Sequence, residues 1–213
     1  MKKLVLISLA FLFIGSANAQ SEKYLAAMKK SIAAIDSSFK NPSSLLKLAA
    51  QFERIAIVEK NQWLPYYYAA FCEVNYGFME QDKSLIDGFA DKATLLINVA
   101  DSLSPSNSEI SCIKSMIASC HMMVNPMQRW AEYGPASNAA MEAAMQQDAT
   151  NPRPYFLKGQ GLMYTPENFG GGCKTAKPVL EIAAAKFATF KPADEMYPTW
   201  GKEIVEGLLQ QCK

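Results

Sequence analysis

Apolar residues recur along this chain at three- and four-residue spacing almost from end to end. Leu25, Met28, Ile32 and Ile35 form one stripe, and Leu45, Leu48, Ala49, Phe52, Ile55 and Ala56 form the next, with Pro42 near its start. Phe89, Ala93, Leu96, Ala100 and Leu103 make a third, Ile110, Ile113, Ile117 and Cys120 a fourth, and Ile204, Val205, Leu208 and Leu209 the last. This spacing brings side chains back to one face of a 3.6-residue helix. No window shows the two-residue alternation of a half-buried strand. Val and Thr are sparse beside Ala, Met and Leu, so the pattern predicts an all-α chain.

Turn-forming residues fall between the stripes, at Asn41-Pro42, Asn61, Gln81-Asp82, Ser104-Pro105, Asn125-Pro126, Asn151-Pro152, Gly170 to Gly172 and Lys191-Pro192. They divide the chain into about nine helices. Paired, these predict four helical hairpins near 21–58, 62–104, 107–149 and 153–190, with a capping helix near 198–211.

The sharpest local signal lies between 155 and 183. Tyr155, Gly159 and Leu162 share one helix face, and Gly159 leaves a notch for a neighbouring helix. Ala176, Leu180 and Ala183 give the answering helix a narrow seam of mostly small residues. A hairpin of this kind buries little alone and must stack on others. Trp63 opens an earlier hairpin 92 residues before Tyr155, which makes two periods, each longer than the minimal repeat of about 34 residues. The expected core includes Leu48, Phe52, Trp63, Ala93, Leu96, Ile113, Ile117, Tyr155, Gly159, Leu180, Ala183 and Leu208.

These six positions between Tyr155 and Ala183 resemble the signature of a tetratricopeptide repeat, with an insertion within Thr165 to Gly172 between its two helices. Ser137, Met141 and Ala144 fit the second helix of the preceding repeat. Trp63, Tyr66, Tyr67 and Ala69 resemble the first helix of an earlier one, with Tyr67 where the glycine would stand. Asn151 to Tyr155, Tyr164 to Gly172, and Pro198, Trp200 and Gly201 together resemble small exported tetratricopeptide-type proteins of Gram-negative bacteria. The resemblance implies a right-handed α-α superhelix without catalytic residues.

The amino terminus changes the expected compartment. Lys2 and Lys3 precede an apolar run, Leu4 to Ile14, and Ala17-Asn-Ala19 forms a small-residue cleavage site. Residues 1–19 therefore read as a cleaved signal peptide and 20–213 as a single domain, periplasmic or secreted. The run falls short of the roughly 20 residues that span a bilayer, and no later stretch replaces it. Losing Lys2 and Lys3 moves the formal charge from +1 to about −1. That balance argues against a nucleic-acid surface or a polybasic membrane footprint. Of the five cysteines, Cys112 and Cys120 sit too far apart on one helix to bond, and Cys173 with Cys212 is the candidate disulfide.

Candidate chemistry is thin. Gly170 to Thr175 lacks the spacing of a phosphate loop, because Cys173 interrupts it and no strand leads in. His121 is the only histidine, and its neighbour Cys120 points about 100° away on a helix. No hydrolase or zinc motif occurs, so no catalytic residue, metal site or cofactor is expected. Trp63, Tyr67 and Phe71 lie on one face and read as interior, whereas Tyr66 and Tyr68 read as reaching solvent and are the candidate partner contacts. The expected function is a non-catalytic module that binds a peptide or protein in its concave face. The alternative is a small-molecule or glycan-binding protein using the aromatic cluster near 63–71, and an enzyme with an unrecognised site is the third reading.

Overall fold

The computed structural model of the chain describes residues 15–212, and the expected leader up to position 14 lies outside them. Among the described residues there are ten α-helices, one short 3-10 turn and no strand. Helix α1 (Gly15–Ala33) runs into the short α2 (Ile35–Ser38) and then α3 (Pro42–Val58). Three hairpins follow: α4 (Trp63–Met79) with α5 (Lys83–Leu103), α6 (Ser108–Val124) with α7 (Pro126–Gln147), and α8 (Arg153–Tyr164) with α9 (Cys173–Thr189). Helix α10 (Lys202–Gln211) closes the chain against α8 and α9.

Helix boundaries follow local chemistry. Asp82 and Asn107 cap α5 and α6 by accepting backbone N–H bonds from Ser84 and Glu109, both at 2.9 Å. Pro42 and Pro126 occupy first-turn positions, where a missing N–H costs nothing. Helices α4, α6 and α8 pack successively on one another as an inner row, each flanked by its hairpin partner. The inner position explains why α4 and α6 are buried nearly all round, while α5 buries only the single stripe Ile86, Ala90, Ala93, Ile97 and Ala100.

Two apolar cores result. The larger gathers Met28, Leu45, Phe52, Tyr67, Ile97 and Ile113 from α1 to α6. The smaller gathers Phe156, Leu180, Ala183, Val205 and Leu208 from α8 to α10. Trp200 packs against both. Most of the expected core lies in these clusters. Trp63, Leu96 and Tyr155 are corrections, because each sits at a core edge and stays half-exposed. Lys186 covers the Tyr155 ring at 4.7 Å from its outer side. Leu162 is likewise half-buried, against the smaller core.

Gly159 faces Leu180 across the α8–α9 contact. A Cβ there would lie 2.6 Å from Leu180 Cδ2 and 3.3 Å from the Leu180 backbone nitrogen, so one could enter only if the Leu180 side chain shifted. Beyond this contact, the Gly-rich insertion turns the chain back, and Cys173 at the start of α9 is bonded to Cys212 after α10 with Cα atoms 5.3 Å apart. Cys72, Cys112 and Cys120 are free and buried.

Replacing Gly159 with Leu should lower stability by about 1–3 kcal/mol through overpacking. Gly161, two residues on, has open space around it, so Gly161→Ala should be neutral or gain up to about 1 kcal/mol from helix propensity. Urea denaturation of the two variants tests the notch, and equal midpoints would count against it.

Candidate ligand site

The face of the inner row, where a peptide was expected, is already covered by this chain. Residues 190–201, between α9 and α10, form a strap across it. Tyr68 donates to the Met196 carbonyl at 2.7 Å, and the Trp200 indole donates to the Tyr67 hydroxyl at 2.8 Å. Trp200 packs on Phe71 at 5.3 Å between ring centroids, and Tyr197 meets Trp63 edge-on at 6.3 Å. Lys29 on α1 pairs with Glu195, so the strap also reaches the first helix.

Arg153 anchors this arrangement. Its side chain is fully buried, as is that of its partner Glu109 on α6, with 2.8 Å between Nη1 and Oε1. Nη2 donates to the Pro198 carbonyl in the strap. The guanidinium also lies over Phe190 and Trp200, at 4.8 and 5.3 Å from their centroids. Glu109 accepts further bonds from Asn151 at 2.9 Å and Tyr67 at 3.4 Å. Every group around this carboxylate is a donor, the usual condition for keeping a charge inside a protein. Burial nevertheless pushes the Glu109 carboxyl up to about 7, against the pull of Arg153 and its other donors. Sequence reading singled out Asn151 to Tyr155 and Pro198 to Gly201 but did not connect them. Arg153 next to two prolines, far from any obvious partner, was the available signal.

Two site expectations change accordingly. Tyr68 does not reach solvent, because its ring stacks on Phe52 at 5.2 Å and its hydroxyl is used by the strap. Tyr66 is half-buried, and its hydroxyl donates to the Ala56 carbonyl at 3.3 Å. Tyr67, Tyr68 and Phe71 of the aromatic cluster at 63–71 are therefore interior and hold the chain's own segment, with Trp63 and Tyr66 at its edge.

An open cleft does exist, between α1 and α3. It has a volume of about 290 Å³ and is lined by Lys23, Tyr24 and Ala27 from α1, and by Gln51, Arg54, Ile55, Val58 and Glu59 at the end of α3. The spacing is helical on both walls. Ala27, Ile55, Val58 and the Tyr24 ring supply apolar surface, while Lys23 and Arg54 are exposed cations. Among the described residues neither cation forms an ion pair. Tyr24 is buried and its hydroxyl has no hydrogen-bond partner. Burial, reinforced by the charges of Glu59 and Asp194, raises this phenol to about 12.

His121 is not isolated. Its Nδ1 lies 2.8 Å from Asp87, and its ring stacks on Tyr133 at 5.0 Å. Arg129 forks onto both Asp87 oxygens at 2.6 and 2.8 Å and, with His121, holds that carboxyl down to about 2. The histidine ties α5, α6 and α7 together.

The architecture defines a class: an all-α stack of helical hairpins whose inner face is strapped shut and whose open cleft is small, apolar and rimmed by cations. No protein-family model matches the chain, and no curated protein does. Among solved structures it is similar to the HusA haemophore from Porphyromonas gingivalis, at 37% identity and a TM-score of 0.80, covering 89% of this chain and 92% of that one. The chain belongs to the same family as HusA. This overturns the peptide-module expectation, because the relative is a haemophore and the expected peptide groove is filled by the strap.

Losing one partner of the buried pair should be severe. Arg153→Met should cost about 3–5 kcal/mol at neutral pH, because it strands Glu109. The pH dependence has a definite sign. A carboxyl raised above its unfolded value of 4.5 makes the folded state the tighter proton binder. Its contribution is fully present below that value and is lost as pH rises through about 7. The stability of the wild type relative to Glu109→Gln should therefore fall across that window. Urea midpoints of both proteins as a function of pH measure this, and parallel curves would contradict it.

Proposed function

We propose that this protein is a non-catalytic exported carrier of haem or a closely related porphyrin, built on a tetratricopeptide-type superhelix. The carrying observation is the likeness to the HusA haemophore, which extends over 92% of that chain at 37% identity. The ligand class then follows the small-molecule alternative, while the place shifts from the aromatic cluster at 63–71 to the α1–α3 cleft. Haem is a flat apolar ring with two carboxylate-bearing side chains. A cleft of apolar wall with exposed cations suits both parts, and its openness suits a cargo that must be released again. The signal-type amino terminus supports action outside the cytoplasm. No helix among the described residues is long and apolar enough to cross a membrane. A carrier of this kind delivers its ligand to a receptor, which is the protein partner this reading expects.

Titration of the protein with ferric haem, followed through the Soret band, tests the proposal. Saturable binding with a Kd of about 1 µM or tighter is expected. Haem at about one hundred times Kd should also stabilise the fold by about 2.7 kcal/mol. A non-saturating absorbance change with no rise in Tm would contradict the reading.

A further inference from the structure

We propose that Lys23 and Arg54 form a two-point carboxylate clamp on the α1–α3 cleft, with the Tyr24 hydroxyl as a third polar contact, so that cargo is recognised by its acidic groups. This rests on the porphyrin-carrier reading and assigns its site and selectivity.

Three independent features converge on the cleft. First, the two cations rise from facing helices onto one cleft, and neither is engaged by a carboxylate among the described residues. Each stands one helical turn from an apolar wall residue, Lys23 before Ala27 and Arg54 before Val58, so charge and apolar surface alternate along both walls. Second, Val58 is 68% exposed, an apolar side chain left open beside the cations. Third, the Tyr24 hydroxyl is buried without a partner in a protein that satisfies nearly all its other buried polar side chains. An unsatisfied buried hydroxyl is costly in the free protein and gains a partner when a ligand oxygen reaches it, and with Glu59 and Asp194 acting on the phenol that oxygen is an uncharged one. A dicarboxylate with a flat apolar body answers all three features. Glu59, the one acid in the lining, disfavours a cargo presenting its acidic groups at that end of α3.

The test compares haem and its dimethyl ester on the wild-type chain, on a Lys23→Ala/Arg54→Ala double variant and on Tyr24→Phe. Both cations are exposed, so the double variant should keep its fold, checked by circular dichroism. Haem affinity should fall on the order of tenfold in the double variant and decline with added salt. The ester should bind the wild type as weakly as haem binds the double variant. Tyr24→Phe should weaken haem binding several-fold while leaving the Tm of the free protein unchanged or raised. If the wild type binds haem but the double variant and the ester bind equally well, the clamp is wrong and the carrier reading stands. If the wild type binds no haem, both fall.

Discussion

A guanidinium held away from water constrains the rest of this structure. Arg153 must be neutralised and hydrogen-bonded where it lies, and the groups that do so come from α6 and from the strap, while Asn151 in the turn before α8 donates to the same Glu109 carboxylate. Glu109 supplies the charge, the Pro198 carbonyl a second acceptor, and Phe190 and Trp200 the faces against which the planar cation stacks. A strap without regular secondary structure is thereby fixed against the inner helices. The two apolar cores, which meet only around a few residues such as Trp200, become one packed body. Buried ion pairs of this kind contribute little net stability compared with apolar packing. Their effect here is positional, since the same guanidinium bonds Glu109 on α6 and the Pro198 carbonyl in the strap.

The helices were readable because their signals are local. Stripe spacing, the Asp82 and Asn107 caps and the Gly159 notch each depend on residues within one or two turns, and the last three hairpins form where those signals place them, whereas the first is broken into three helices. The strap was not readable. Residues 190–201 have no periodicity, and their partners Arg153, Tyr68 and Tyr67 stand 45, 128 and 133 positions away in sequence, so no spacing rule connects them. Tyr68 shows the consequence. Read on α4 alone, with Tyr67 facing inward, its neighbour should have reached solvent; a second layer over the inner face buries both. The cleft was equally hidden, because Lys23, Tyr24 and Arg54 are ordinary residues of two amphipathic helices until those helices are placed side by side.

That second layer also separates this protein from an open peptide-binding superhelix. The donors and aromatic rings that would grip a peptide are engaged by the chain's own main-chain carbonyls and rings, and a compact cleft between α1 and α3 stays accessible. A small ligand with an apolar body and anionic ends matches what remains. The pair His121 and Asp87, by contrast, is consumed in joining three helices, which leaves the cleft as the better place for cargo.

The central claim is that cargo enters the α1–α3 cleft while the strap stays in place. Heteronuclear NMR of the free protein, with ferric haem added in steps, tests it most directly through paramagnetic broadening. The expected result is loss of signal confined to Lys23, Tyr24, Ala27, Arg54, Ile55 and Val58, with the Trp200 indole resonance unmoved. Broadening centred on Trp200, Tyr68 and Met196, with the α1–α3 signals intact, would mean that the strap opens and the inner face is the binding surface.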